Sequence, residues 1–161
     1  MPTPRTVTYD YATGPDTVAA LLRDPDFLKR RCEEAGEKNV EIVIEDTGDG
    51  LRVMVARDKQ VELPSFAKRM FQPKNRIVDE MKWKRQGDNW VGQYTLEIAG
   101  VPGEVKGIST LTASPNGCRH ECSFEVTSRI PLFSGKLESF VADRVEETMR
   151  DHAVRNAARL K

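Results

Sequence analysis

The strongest constraint on the fold is a run of three hairpin patterns. Each pattern contains two stretches of alternating apolar and polar residues, typical of half-buried strands, around a short turn signal. The patterns occupy residues 39–57, 75–100 and 103–130, and their turn signals lie at residues 47–50, 86–89 and 115–117. Because such short turns cannot connect parallel strands, the sequence predicts six strands in an antiparallel meander.

A seventh strand is predicted before the hairpins. In "TVTYDY", residues 6–11, Val7, Tyr9 and Tyr11 fall on one face and three polar residues on the other. This period of two residues predicts that the tyrosines and Val7 point toward the protein interior.

Two short helices are predicted between this first strand and the first hairpin. The first carries Val18, Leu21 and Leu22 on one face, and we expect Asp16 to be its N-cap. We expect Asp24 to cap the second, which has Pro25 at its first position and Gly36 just after its end.

The chain closes with a long amphipathic pattern over residues 131–160. A sheet with one apolar face must be covered, and this segment is the predicted helix long enough to do so. The sequence therefore predicts an α+β fold, with residues 1–161 as one domain. A curved seven-stranded antiparallel sheet would wrap around the long C-terminal helix and leave a groove. The predicted apolar stripe consists of Phe133, Leu137, Phe140, Val141, Val145 and Met149.

Composition excludes several classes of partner. Lys and Arg number 25, equal to the 25 Asp and Glu, so no net field would attract nucleic acid. No apolar run approaches the roughly 20 residues of a transmembrane helix. Three cysteines and no signal-peptide pattern predict a cytoplasmic protein without a disulfide framework. The oligomeric state is left open.

Four segments resemble a known superfamily: "TVAALLRDPDFLKRR", "LPSFAKRMF", "IAGVPGEVKGISTL" and "RIPLFSGKLESFV". Together with the order of elements, they resemble the START-like, or polyketide-cyclase-like (SRPBCC), helix-grip superfamily. More narrowly they are similar to an actinobacterial family of unknown function within it. The resemblance implies a cavity between sheet and long helix. Relatives bind lipids, sterols, polyketides or other apolar molecules there, and some are cyclases or hydrolases.

The Gly135-Lys136 pair suggests a phosphate-binding loop but does not fit one. Ile130 occupies the position of the first glycine of that motif, and Leu137 the position of its hydroxyl residue. No cofactor is therefore predicted. We expect Pro131 to lie in the first turn of the helix and Lys136 to face solvent. Gly135, which has no side chain, is expected near the point where the helix meets the sheet.

Cys118, His120 and Cys122 have the residue types of a metal site but not its geometry. They alternate along a predicted strand, which separates the two cysteines by about 13 Å at about 3.3 Å per residue. No metal site is predicted. Strand parity places His120 and Cys122 on one face with Phe124 and Val126, in the wall of the groove.

No catalytic residue is assigned. His120 and His152 are the two histidines, and no Gly-x-Ser-x-Gly elbow precedes a helix. Either histidine, or Asp79, could still act as a single acid or base if it faced the cavity.

Polar residues on predicted apolar faces are the more informative signal. Arg57 and Asp79 share strand faces with apolar residues, and we expect them to pair, to lie at strand ends in water, or to hold the polar end of a ligand. Arg144 and Thr148 fall within the stripe of the long helix. They would line a wet cavity, unless Arg144 extends past the sheet edge into solvent.

These observations favour a module that binds a hydrophobic or amphipathic small molecule over an enzyme. A cyclase- or hydrolase-type enzyme and a protein-interaction or chaperone-like domain are the alternatives. The predicted ligand-binding residues are Tyr9, Val53, Val55, Met81, Trp83, Tyr94, Ser109, Phe124, Phe140, Arg144 and Thr148.

Overall fold

The computed structural model describes residues 4–60, 65, 66, 68, 74–99, 103–128 and 134–160, with only the backbone of Lys74 and Ser134. The strands are β1 (Arg5–Tyr11), β2 (Lys38–Asp46), β3 (Gly50–Gln60), β4 (Lys74–Gln86), β5 (Asn89–Ile98), β6 (Gly103–Ser114) and β7 (Gly117–Ser128). The helices are α1 (Pro15–Leu22), α2 (Pro25–Glu34) and α3 (Ser134–Arg159).

The seven strands form one antiparallel sheet in the order β1-β7-β6-β5-β4-β3-β2. Each hairpin therefore pairs neighbours along the chain, and β1 adds to the free edge of β7. This confirms the predicted meander and all three predicted turns. Val7 and Tyr11 are buried, as the alternation in β1 predicts.

The cap of α1 differs from the prediction. The helix begins at Pro15 with Gly14 as its N-cap, and no side chain caps it. Asp16 lies inside the first turn, where its carboxylate accepts a hydrogen bond of 2.9 Å from Trp90 Nε1 and another of 2.9 Å from Arg85. The prediction that Asp16 caps α1 was wrong because the helix and its N-cap begin two residues earlier than predicted.

The cap of α2 agrees with the prediction. Asp24 accepts hydrogen bonds from the backbone N–H groups of Asp26 and Phe27, at 3.0 and 3.3 Å. Pro25 is the first helical residue, and Gly36 adopts a φ of 81° after the helix ends. The chain can therefore reverse into β2.

The C-terminal helix α3 has 26 residues and is about 39 Å long at about 1.5 Å per residue. Leu137, Val141 and Val145 are buried against the sheet, as the stripe predicts. None of the described helices is long and apolar enough to cross a membrane.

The start of α3 departs from the prediction at one glycine. A Cβ at Gly135 would meet no atom of the described residues within 4 Å, so nothing in that part of the chain requires a glycine here. Lys136 is exposed, as expected. The predictions for Pro131 and Phe133 lie outside the described residues.

The core has two parts. One lies beneath α1 and α2 and contains Trp83, Trp90 and Leu111; the other lies beneath the first half of α3 and contains Leu96, Phe124 and Leu137. The concave sheet face is thus covered at one end by the short helices and at the other by α3.

Candidate functional site

A cavity of about 370 Å³ lies between the sheet and helices α2 and α3. Apolar side chains of β1, β3, β4, β5 and α3 form much of its wall. This size falls within the usual range of small-molecule sites, about 300 to 1,000 Å³. Of the predicted binding residues, those lining the cavity are Tyr9, Val53, Val55, Met81, Trp83, Tyr94, Ser109, Phe140, Arg144 and Thr148.

Phe124 is the predicted residue that the structure places elsewhere. It is 1% exposed and packs in the core with Val7, Leu96 and Leu137, outside the cavity wall. The strand parity was right, but β7 passes beneath the buried part of α3 at this point. Phe124 fills space there that a ligand could not reach.

Charged side chains form a cluster at one side of the cavity, consisting of the buried Glu37 and Arg57 and the partly exposed Lys59 and Asp79. Arg57 Nη1 lies 2.6 Å from Asp79 Oδ2, which confirms the predicted pairing of these two residues. Glu37 contributes a second carboxylate, with its oxygens 3.6 Å from Arg57 Nε and 3.6 Å from Lys59 Nζ. Two cations and two carboxylates therefore balance each other in this charged cluster.

The charged cluster keeps Arg57 ionised although it is 2% exposed. Burial alone would lower the pKa of its guanidinium, but attraction to Asp79 and Glu37 outweighs burial, and the pKa is raised. Lys59 links the cluster to α3 by donating a hydrogen bond of 3.0 Å to Thr148 Oγ1. Thr148, a predicted ligand-binding residue of α3, is therefore hydrogen-bonded to a side chain of β3.

A second cation of the cavity wall, the half-buried Arg31 of α2, has a different environment. Its Nη1 donates to Asn156 Oδ1 at 3.1 Å, and Asn156 Nδ2 donates to the Tyr11 hydroxyl at 3.1 Å. Its Nε is buried and has no hydrogen-bond partner among the described residues. Burial lowers the pKa of Arg31. Arg31, Asn156 and Tyr11 are thus connected by hydrogen bonds and form the Arg31 group.

Both histidines line the cavity and are held neutral. His120 Nε2 lies 2.7 Å from Ser109 Oγ, within hydrogen-bonding distance. Burial and, to a smaller degree, Arg31 lower the pKa of His120 to about 4. Burial also lowers the pKa of His152 well below its usual value, helped by Arg31, Arg57 and Lys59. Each ring is therefore uncharged at neutral pH.

The cysteines have no redox or metal partner in the described structure. Cys32, Cys118 and Cys122 are free and buried, and burial raises the pKa of Cys118 and of Cys122 to about 11. Cys122 lines the cavity with His120, the position predicted for both. Over the described parts of the chain, no three potential ligand residues are grouped closely enough to hold a metal ion.

The mouth of the cavity lies near Arg144. This side chain extends toward solvent, with 45% of its surface exposed, and donates a 2.8 Å hydrogen bond to Glu147. Its guanidinium also lies 5.5 Å from the ring centroid of Phe140. Arg144 therefore takes the solvent-directed position that was one of its two predicted alternatives.

Several polar residues of the cavity were missed in the sequence. Glu37 and Arg31 lie in segments without a clear hydrophobic periodicity, so no local pattern indicated that their side chains point toward the protein interior. Asn156 did have one, because Thr148, His152 and Asn156 follow each other at intervals of four residues along a single helix face. Lys59 continues the strand face of Arg57 and could have been found from the same alternation.

Comparison with known proteins identifies the family and the fold. The family model described as "Protein of unknown function (DUF2505)" matches residues 6–157. No curated protein matches the chain.

Three solved structures illustrate the fold. TTHA0849 from Thermus thermophilus is 18% identical over 99% of this chain and 100% of its own, with a TM-score of 0.65. The ZhuI aromatase/cyclase from Streptomyces sp. R1128 is 13% identical over 99% and 92%, with a TM-score of 0.65. Human STARD10 is 10% identical over 95% of this chain and 62% of its own, with a TM-score of 0.58. These similarities confirm the helix-grip fold of the predicted superfamily.

Proposed function

Since the chain belongs to the DUF2505 family of proteins of unknown function and has the helix-grip fold, we propose that it binds a hydrophobic or amphipathic small molecule. The ligand, a lipid, sterol or polyketide-like compound, would occupy the cavity between the sheet and α3. The observation that carries this proposal is the cavity of about 370 Å³, with apolar walls and a few inward-facing polar groups.

The distribution of side chains supports a ligand with two unlike ends. Val53, Val55, Met81 and Phe140 offer apolar surface, and burying a ligand against them would supply affinity. The polar groups, including Tyr94 and Ser109, would orient it. The Tyr94 hydroxyl lacks a hydrogen-bond partner among the described residues, and burial raises its pKa well above its usual value. It is therefore a neutral donor available to a ligand.

Two further features agree with a small-molecule role in the cytoplasm. The three cysteines are unpaired, as expected in a reducing compartment. The exposed large hydrophobic residues in the described parts of the chain are Val43, Ile108 and Val154, which lie on three different elements. They do not suggest the contiguous patch that a protein-interaction domain would need.

Binding is tested by titrating the purified protein with the neutral dye N-phenylnaphthylamine and by native mass spectrometry. We expect enhanced dye fluorescence, weakened about tenfold or more in Met81→Trp because the larger ring fills the cavity. The matched control is Ile108→Trp, which adds the same ring at a residue 48% exposed and should bind like the wild type. No dye binding and no retained small molecule in the wild type would contradict the proposal.

One observation favours a second function, a cyclase- or hydrolase-type enzyme. His120 faces the cavity and is within hydrogen-bonding distance of Ser109, so a neutral imidazole and a hydroxyl meet where a ligand would lie. Hydrolysis of nitrophenyl esters of increasing chain length would test it. Turnover that disappears in His120→Gln supports catalysis, whereas equal rates in protein and buffer speak against hydrolysis.

A further inference from the structure

The cavity wall contains one cation more than its carboxylates can balance. In the described structure, Arg31, Arg57 and Lys59 line the cavity away from its mouth, and the carboxylates near them are Asp79, also in the wall, and Glu37, which contacts Arg57 and Lys59. The charged cluster uses both carboxylates. Arg144 and Glu147, which are more exposed, pair with each other at the mouth. Arg31 is left as a surplus positive charge inside the protein.

The contacts of Arg31 satisfy only part of its guanidinium. One nitrogen donates to the Asn156 amide oxygen, and the group lies 5.8 Å from the ring centroid of Phe27. Within the described ranges, no carboxylate oxygen lies within 4 Å of it, although Asp79 attracts it from farther away. An ionised guanidinium with a buried, unpartnered Nε is costly to maintain unless an acceptor completes it.

The hydroxyl proton of the neighbouring Tyr11 also has no acceptor among the described residues. The Tyr11 oxygen receives the hydrogen bond from Asn156, which leaves its own proton free to be donated. Burial raises the pKa of Tyr11, so the hydroxyl keeps that proton. The Asn156 amide thus bonds to both Arg31 and Tyr11, and each of these two residues keeps an unused donor in the cavity wall. Donors without acceptors favour an anionic ligand group.

We propose that the Arg31 group is a carboxylate subsite and that the ligand is an amphiphile bearing one carboxylate. The guanidinium would receive the carboxylate through its unused N–H groups, a geometry that arginine is suited to. Tyr11 would donate a further hydrogen bond, and the apolar body would lie along the sheet toward Phe140. This inference rests on the proposed binding function and specifies the class of its ligand.

The test compares two probes of equal chain length, decanoate and decanol, as competitors of N-phenylnaphthylamine at about pH 7.5, where the acid is ionised. We expect decanoate to bind about tenfold or more tightly than decanol, the effect of one charge-assisted hydrogen bond. Arg31→Met should reduce decanoate affinity about tenfold and leave decanol within about twofold. Arg30→Met, which removes an exposed charge from the same helix, should change neither.

Each other outcome has a distinct meaning. Equal affinity of the wild type for both probes would overturn the carboxylate subsite and leave the proposed function standing. Displacement by neither probe, together with failure of the dye itself to bind, would remove both. If Arg31→Met does not fold, Tyr11→Phe serves instead, because it removes one donor and should weaken decanoate about threefold or more without affecting decanol. Equal loss for both probes would refute the assignment.

Discussion

Two arginines line the same cavity, and they differ in their partners. Arg57 on β3 lies between two carboxylates, with Asp79 at 2.6 Å and Glu37 at 3.6 Å. Arg31 on α2 has one amide oxygen at 3.1 Å and no ion-pair partner in the described structure, and the Nε of each arginine is buried without a hydrogen bond. The pKa of Arg57 is raised by its carboxylates, whereas the pKa of Arg31 is lowered by burial.

This difference separates a structural charge from a ligand-binding one. A buried ion pair is retained when each member satisfies the other, and removal of one member leaves the other uncompensated. Arg57 is therefore required by the folded protein without a ligand. Within the described protein Arg31 contacts the Asn156 amide and the Phe27 ring but no carboxylate, so we expect the partner of its charge to come from outside. Unfolding of arginine variants and titration of His120 test this difference.

The largest effect is expected from Arg57→Met. This substitution leaves Asp79 and Glu37 as neighbouring carboxylates without their guanidinium, and breaking a buried pair in this way costs about 3 to 5 kcal/mol. The free energy of unfolding, measured with urea, should fall by that amount.

The control for this measurement is Arg52→Met on the opposite face of the same strand. Arg52 pairs with Glu45 and Glu80, and its side chain is 29% exposed. A surface pair contributes about 0 to 1 kcal/mol, so the control should remain close to the wild type. If Arg57→Met is no more costly than Arg52→Met, Arg57 is not a structural charge.

The fold could be predicted almost completely because its signals are local. Alternation in six strands, turn residues at three tips and the Asp24 cap each act over a few residues, and the antiparallel meander follows from them. Asp16 shows the limit of this reasoning. Its carboxylate is a good capping group, but Trp90 and Arg85 arrive from a distant hairpin and bind it elsewhere.

The cavity could be predicted only where strand or helix periodicity reached it. Val53, Met81 and Tyr94 line it because a period of two residues fixes their face. Arg31 and Glu37 meet the site through the packing of α2 on the sheet, which no local pattern specifies. Phe124 shows that predicting the correct strand face does not by itself identify a cavity residue. Its position along the strand decides whether the side chain lines the cavity or packs in the core.

An intermediate effect is expected from His120 when pH is lowered. The unfolded chain takes up this proton near pH 6.5 and the folded protein only near pH 4, so folding is progressively disfavoured as pH falls through that window. Between about pH 7.5 and about pH 5 the wild type should lose about 2 kcal/mol of unfolding free energy from this group. His120→Gln keeps a hydrogen-bonding side chain near Ser109 and should lack this loss.

The same histidine reports on the two arginines. Burial and, to a smaller degree, the charge of Arg31 lower the pKa of His120, whereas Arg57 does not contribute. Nuclear magnetic resonance titration should therefore show the His120 pKa rising in Arg31→Met and remaining close to the wild-type value in a folded Arg57→Met protein. Saturation with decanoate should raise it as well, because a bound carboxylate offsets the Arg31 charge. An unchanged pKa in Arg31→Met would argue that Arg31 is already neutralised.

The smallest effect is expected on the stability of the ligand-free Arg31→Met protein. The substitution removes a charge and leaves no carboxylate without its partner. It destabilises the protein by the lost hydrogen bond to the Asn156 oxygen, worth about 1 kcal/mol. It also removes the cost of holding an unpaired cation in the protein, and because the two effects oppose each other, the free energy of unfolding should change by no more than about 1 kcal/mol. Urea unfolding of Arg31→Met and Arg57→Met under identical conditions provides the measurement. If both lose about 3 kcal/mol or more, Arg31 is as much a part of the folded structure as Arg57, and its charge is not reserved for a ligand.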